Sequence, residues 1–349
     1  MAEVRICLTP RVSGVGGMVS FRNRLSARLA AMNIKVTDNL SDPDLDAVLV
    51  IGGTRHLIEL WRAHRRGVRI VQRLNGMNWL HRVKKADQKP KTNLRHFLRA
   101  EYGNRNLATI RSRLAQHIVY QSEFSHRWWE RVYGPTRIPS TVIYNGTDLQ
   151  EYSPLGLHQR PEHGFRILLV EGSLMGGYEM GLAAAVKLAD GVAARMSQPV
   201  ELQVVGRVAD NIRQSWEQFT GNRWLLTWAG LQPTERIPEV DRSAHLLYSS
   251  DINAACPNSV IEALACGLPV LALDTGALAE MVTGDAGRVV PYGGDSWRLD
   301  SPNIQGLIEA ACEIAADQQR FRTGARLRAE SAFNLDHMVE RYLQALLGS

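Results

Sequence analysis

The chain has 349 residues, 45% of them hydrophobic, with 41 Lys and Arg against 35 Asp and Glu. That length exceeds one ordinary core and suits two domains of about 150 residues each. No run approaches the roughly 18 apolar residues that a membrane span needs. The charge is divided unevenly: residues 1–150 hold 25 basic and 11 acidic residues, and the rest of the chain is net acidic. A basic half beside an acidic half suggests that one domain meets an anion: a membrane surface, an acidic or phosphorylated molecule, or nucleic acid. Cys7, Cys256, Cys266 and Cys312 show no CxxC pair and no metal spacing, so they read as reduced, buried thiols. The start, Met-Ala-Glu-Val-Arg-Ile, has no signal-peptide h-region, and the expectation is a cytoplasmic protein.

Short apolar runs alternate with helical patterns, which predicts parallel sheets built from βαβ units. The first half offers strands at Val4–Leu8, Ala47–Ile51, Val68–Leu74, His117–Gln121 and Thr141–Tyr144. A glycine loop, Gly14-Val-Gly-Gly17, follows the first, and Phe21, Leu25 and Leu29 then mark a helix. The polar stretch 156–164 reads as a linker. A second α/β pattern runs through Phe165–Val170, Val200–Val205, Trp224–Trp228, His245–Tyr248, Val270–Leu273 and Arg288–Val290. Helical patterns at Ile304–Ala316 and from about Asp336 to Leu347 close the chain.

The densest signal is Cys256-Pro-Asn-Ser-Val-Ile-Glu262-Ala-Leu-Ala-Cys-Gly267-Leu-Pro269-Val-Leu-Ala-Leu-Asp274-Thr-Gly276, continuing to Glu280-Met-Val282. The spacing predicts a helix capped by Ser259 with Glu262 completing a capping box, a glycine stop at Gly267, and a buried strand. A loop entering a helix beside such a strand aims free N–H groups and a positive dipole end at a ligand, most naturally phosphate.

From Val260 to Val282 the sequence resembles retaining, nucleotide-sugar-dependent glycosyltransferases of family 4, which have the GT-B architecture. That family typically carries Glu-Gly-Phe-Gly, four residues, then Glu-Ala-Met-Ala-Cys-Gly-x-Pro-Val-x-Ala. Further matches are Gly14–Gly17, Gln121-Ser-Glu-Phe-Ser125, Val142-Ile-Tyr-Asn-Gly-Thr-Asp148, Tyr152-Ser-Pro154 and Val204-Val-Gly206, so the resemblance covers nearly the whole chain. It implies an α/β fold of two Rossmann-like domains with parallel sheets facing a central cleft. Residues 1–155 would form the acceptor side, 156–330 the donor domain, and 331–349 a helix crossing back. The implied reaction moves a sugar from a nucleotide-diphosphate sugar, with no metal or other cofactor, to an unknown glycan, lipid or small-molecule acceptor.

Carried onto this chain, the resemblance assigns Glu262 to the ribose hydroxyls and the amides of Asn258, Ser259 and Val260 to phosphate. Gly172-Ser173 would be the diphosphate-facing turn, Arg207 a cationic strand end, and Gly230 the backbone that reads the nucleobase. Gly16 and Gly17 would let substrate approach the chain closely. Four positions depart from the pattern. Ala254 replaces a sugar-contacting glutamate, Ser173 replaces an arginine, no lysine stands within 174–180, and Asn75 occupies the place of a histidine. Asn75 is then the catalytic candidate, with Arg73, His81 and Arg207 as replacement cations and Trp79 as a sugar-stacking ring. Each has a bland reading beside it: Arg73 as a salt-bridge partner, His81 as a surface histidine, Trp79 as core.

The segment Arg82–Arg113 carries ten basic residues against Asp87 and Glu101. With Leu94, Phe97, Leu98, Leu107, Ile110 and Leu114 it forms a basic amphipathic pattern suited to the anionic inner face of a membrane, to an anionic acceptor, or simply to packing with a solvated face. No RNA-binding aromatic motif accompanies it, and no nucleic-acid partner is expected. Two other readings stay open. The four departures fit a non-catalytic sugar- or nucleotide-binding partner of the same fold. Epimerisation of a nucleotide sugar would need an acid–base pair of carboxylates that the sequence does not identify.

Overall fold

The computed structural model describes residues 4–14, 16–83, 94–174, 179–217 and 224–348. Val15 of the glycine loop, the four lysines of the basic segment (Lys84, Lys85, Lys89, Lys91) and Met175–Tyr178 lie outside the described residues. The chain divides into two units. The first comprises Met1–Gly146, Trp297–Leu299 and Leu335–Ser349; the second comprises Thr147–Ser296 and Asp300–Asn334.

Unit 1 begins with β1 (Arg5–Thr9), α1 (Gly17–Ala31), β2 (Lys35–Thr37), β3 (Ala47–Ile51), α2 (Leu57–Arg65) and β4 (Arg69–Leu74). It continues with α3 (Leu94–Arg113), β5 (His117–Tyr120), α4 (Glu123–Tyr133) and β6 (Ser140–Val142). Among the described residues the strands pair in parallel in the order β2-β1-β3-β4-β5-β6. The two-residue alternation of a strand explains why β3 is apolar throughout. Ala47, Leu49 and Ile51 pack with Phe21, Leu25 and Leu29 of α1, while Val48 and Val50 pack with Leu60 of α2 and Ile110 of α3. β2 was not expected, because three residues with one apolar side chain carry no readable period.

Unit 2 runs β7 (Phe165–Ser173), α5 (Glu179–Ala193), β8 (Val200–Arg207), α6 (Asp210–Glu217), β9 (Trp224–Gly230), α7 (Ile237–Arg242) and β10 (Leu246–Tyr248). Then follow α8 (Asn258–Ala265), β11 (Val270–Leu273), α9 (Leu278–Met281), β12 (Gly287–Val290), α10 (Ile304–Ala316) and α11 (Gln318–Ala332). Its parallel order is β12-β11-β10-β7-β8-β9. Both units are doubly wound, Rossmann-like α/β structures, as the alternating pattern predicts. The last helix, α12 (Leu335–Leu347), belongs to unit 1, where Leu335, Met338, Tyr342 and Leu346 join the core beside α1.

The helix–strand signature folds with one correction. Pro257, not Ser259, stands at the start of α8, and Ser259 lies inside the helix as its second residue, so the capping box does not form. The proline fixes φ near the helical value and needs no donor, which lets the helix begin earlier. The stop is as expected. Gly267 has φ +67°, its N–H donates to Leu264 O, and the Leu268 N–H donates to Ala263 O, the paired bonds of a Schellman motif. Cys7, Cys256 and Cys266 are buried free thiols, whereas Cys312 is only half-buried on α10. Among the described residues, no helix is long and apolar enough to cross a membrane.

Candidate functional site at the carboxyl ends of the two sheets

In open α/β sheets, ligands bind outside the carboxyl ends of the strands, where the strand order reverses. The order reverses between β1 and β3 in unit 1 and between β7 and β10 in unit 2.

At the unit 2 reversal stand Glu171 on β7 and Ser249, Ser250 and Asp251 just after β10. Ser250 Oγ donates to Glu171 Oε1 at 2.6 Å, and Ser249 Oγ donates to Asp251 Oδ2 at 3.3 Å. Burial, then the neighbouring Asp251 charge, pushes the Glu171 carboxyl up, and burial pushes Asp251 up as well. Two enclosed carboxyls that pair with no arginine among the described residues hold a proton rather than two charges. Sequence reasoning missed this pair. The available signal was an acid ending each of two apolar runs, Ile167–Val170 and Leu246–Tyr248.

Gly172 is exposed, and a methyl group there would meet nothing. Ser173 pairs in register with Arg207 across β7 and β8. Arg207 and Gly230 come together in a cavity of about 210 Å³ with Gly206, Arg213, Trp228 and Leu231. The Arg213 guanidinium lies 5.7 Å over the Trp228 ring, and Trp228 Nε1 is buried with no partner among the described residues. Asn258, Ser259 and Val260 form the first turn of α8, and Glu262 is half-buried one turn further along. The Glu262 charge, after burial itself, helps hold the carboxyl of Asp241 on α7 well above its usual range.

The unit 1 reversal opens a cavity of about 550 Å³ lined by Pro10 and Arg11 after β1, Gly52 to His56 after β3, Asn75 and Gly76 after β4, and a flank of α3. Asn75 lines it, and its backbone is pinned: Trp129 Nε1 donates to the Asn75 carbonyl at 2.7 Å. Asn106 of α3 holds the β3 loop by donating to Thr54 O at 2.9 Å, and the buried Asn104 bridges the backbone of Asn78 at 2.9 Å in both directions. Arg11, Arg55 and Arg99 supply positive charge, and no carboxylate lines the cavity among the described residues. Arg11 pairs with Asp38, whereas Arg55 and Arg99 have no ion pair among the described residues.

Gly16 caps α1 at φ +145° with open space around it, and Gly17 is the first residue of that helix. Three proposed cleft residues turn inward. Arg73 is 1% exposed, donates to Asn145 Oδ1 at 2.8 Å and lies 3.8 Å over the Phe21 ring. It sits on β4 with its side chain on the α1 face, which leaves the guanidinium in the core. The His81 ring is buried against Phe97 and bonded to Glu101 at 2.7 Å, so it is not a surface histidine. Trp79 packs edge-on against Trp297 at 5.2 Å, as core. Among the described residues, no three or more His, Cys, Asp or Glu side chains gather as a metal would require.

Residues 166–317, somewhat under half of the chain, match the family model for glycosyl transferases group 1. The chain carries a group 1 glycosyltransferase domain. Solved structures agree on the fold of this glycosyltransferase. HepE from Anabaena, in complex with UDP and glucose, is 16% identical with a TM-score of 0.68, covering 99% of this chain and 100% of that one. A glycosyltransferase from Rickettsia africae is 12% identical with a TM-score of 0.68, covering 98% and 97%. Sucrose-phosphate synthase from Thermosynechococcus elongatus is 16% identical with a TM-score of 0.62, covering 95% and 79%. No curated protein sequence matches the chain. The match of unit 2 to an enzyme family weighs against the non-catalytic reading.

Proposed function

We propose that this glycosyltransferase moves a sugar from a nucleotide-diphosphate sugar to a hydroxyl of an acceptor bound in the unit 1 cavity, with retention of configuration and without a metal, in the manner of family 4. The carrying observation is the cavity formed by Arg207, Arg213, Trp228 and Gly230. It offers a nucleobase an aromatic wall with a guanidinium over it. Uridine diphosphate glucose is the first donor to try, since HepE was solved with UDP-glucose. In the reaction the acceptor oxygen bonds to the anomeric carbon while the bond from that carbon to the β-phosphate oxygen breaks. The hydroxyl proton leaves with the diphosphate. Arg207 and the amides opening α8 then meet the developing phosphate charge. The protonated Glu171–Asp251 pair keeps repulsion low near that charge.

The test is thermal stabilisation by nucleoside diphosphates and nucleotide sugars. A nucleotide at a hundred times its dissociation constant adds roughly 2.7 kcal/mol. We expect that shift with one nucleotide and its loss in Trp228→Ala and Glu262→Ala. Transfer that continues in a chelator supports metal independence, and an absence of shift with every nucleotide overturns the reading. We further propose that α3 rests on an anionic membrane. Leu94, Leu98 and Tyr102 recur every four residues and are 68%, 57% and 62% exposed, beside Arg95 and Arg99. Sedimentation with anionic but not neutral vesicles, lost in Leu98→Glu, is the expected result.

A further inference from the structure

Unit 2 contains a second cationic cavity at the opposite end of its sheet. About 340 Å³ in volume, it is lined by His158 and Arg160 of the linker, by Gln319, Arg322, Thr323 and Arg326 of α11, and by the Gly267 turn that precedes β11. We propose that this cavity binds a phosphate group, inorganic or as a monoester, between Arg160 and Arg322. The reading is independent of sugar transfer, because the residues lie at the amino ends of β10 and β11, away from Arg207 and Glu171.

The argument is an imbalance of charge. Arg326 is fully engaged, donating to the carbonyls of Tyr152 at 2.9 Å and Ala265 at 2.8 Å and pairing with Glu330 at 2.7 Å. Arg322 makes one bond, to the Ala244 carbonyl at 3.2 Å, and among the described residues it has no carboxylate partner. Arg160, half-buried, has neither a side-chain hydrogen bond nor an ion pair among the described residues, and no acid lines the cavity. Two guanidinium groups drawn out of water toward each other without a counter-ion are costly, and removing one charge or adding an anion relieves that cost. The surroundings register the same field. Burial, then the Arg160 charge, lowers Arg322 to about 10, and burial followed by Arg160, Arg322 and Arg166 holds His245 near 4. Arg166 is already balanced by Glu201 at 2.8 Å. A tetrahedral oxyanion suits these lining groups chemically. Each guanidinium offers a planar fork of donors that matches phosphate, and the Thr323 hydroxyl, the Gln319 amide and His158 surround it. Bound there, it would tie the linker to α11.

The experiment is phosphate binding by the full chain, followed by calorimetry and melting at constant ionic strength with chloride as control. Low-millimolar phosphate should raise the melting temperature. Arg160→Gln and Arg322→Gln should each weaken binding about tenfold or more, while a change at the exposed Arg137 of unit 1, Arg137→Gln, leaves it unchanged. Arg160→Gln should also melt no lower than the parent without phosphate, because it removes a repulsion; a purely structural arginine would lower it. Glucose 6-phosphate and vesicles containing phosphatidic acid separate a soluble ester from a lipid headgroup. Absence of phosphate binding, equal binding by the Arg160 and Arg322 variants, or binding of an acidic peptide alone overturns the proposal. Nucleotide binding that survives in these variants leaves the donor-site reading intact.

Discussion

The carboxyl ends of the two sheets are built from opposite materials. Unit 1 presents amides and arginines over a glycine-lined cavity with no acid among the described residues. Unit 2 presents two enclosed carboxyls between its reversing strands and sets Arg207 one strand away, at the end of β8, with Arg213 on α6. Similar folds impose similar backbones at these places, so the difference lies in the side chains that each reversal receives. A proton-sharing acid pair, and arginines of which only Arg11 has an ion pair among the described residues, are each costly without a ligand. Each is best explained by the molecule it is meant to hold.

The contrast can be broken most severely at Gly206. A methyl group there would overlap the Glu171 carbonyl oxygen, and φ is +141°, a conformation open to glycine. Gly206→Ala should cost about 3 kcal/mol or more, read by denaturant melting, because backbone on β7 and β8 must separate. The corresponding strike at unit 1 is Trp129→Phe. It removes a fully buried indole and its bond to the Asn75 carbonyl, and should cost about 2 kcal/mol in unfolding and disturb acceptor binding more than nucleotide binding.

A gentler change sharpens the comparison. Glu171 has its carboxyl raised in the folded state, so the folded chain binds the extra proton. Its contribution to stability therefore falls as pH rises from the ordinary carboxyl range near 4.5 through the raised value. Glu171→Gln should flatten that fall and gain about 1–2 kcal/mol at neutral pH, measured as the pH dependence of melting. Parallel pH profiles for parent and variant would remove the acid pair from the account. The smallest stability effect belongs to Arg55→Met, on the exposed rim of unit 1, which should stay within about 0.5 kcal/mol. Its effect belongs in kinetics, as a raised KM for an anionic acceptor with kcat held.

Much of the fold was legible because parallel strands buried on both faces leave continuous apolar runs, as Ala47–Ile51 and Val270–Leu273 do, and these two strands have the bounds that the sequence suggested. β2 and α11 escaped notice. β2 is too short to repeat, and α11, Gln318–Ala332, is so rich in arginine that its three buried residues, Phe321, Ala325 and Ala329, stand out only once packed. The site was legible in part. Arg207 and Gly230 share a cavity, while Arg73 and His81, read as cleft cations, are enclosed by Phe21, Asn145, Phe97 and Glu101.

By itself, then, the sequence determined what depends on neighbours along the chain: alternation of strand and helix, the glycine stop after α8, and the division of charge between the halves. Tertiary structure alone decided which charges meet. Glu171 and Ser250 are 79 residues apart, and Arg160 and Arg322 further still, yet folding bonds the first pair and sets the charge of Arg160 against that of Arg322. A local pattern reports how a segment packs, whereas the electrostatics of a site depend on distance and solvent exclusion, which exist only once the chain has folded.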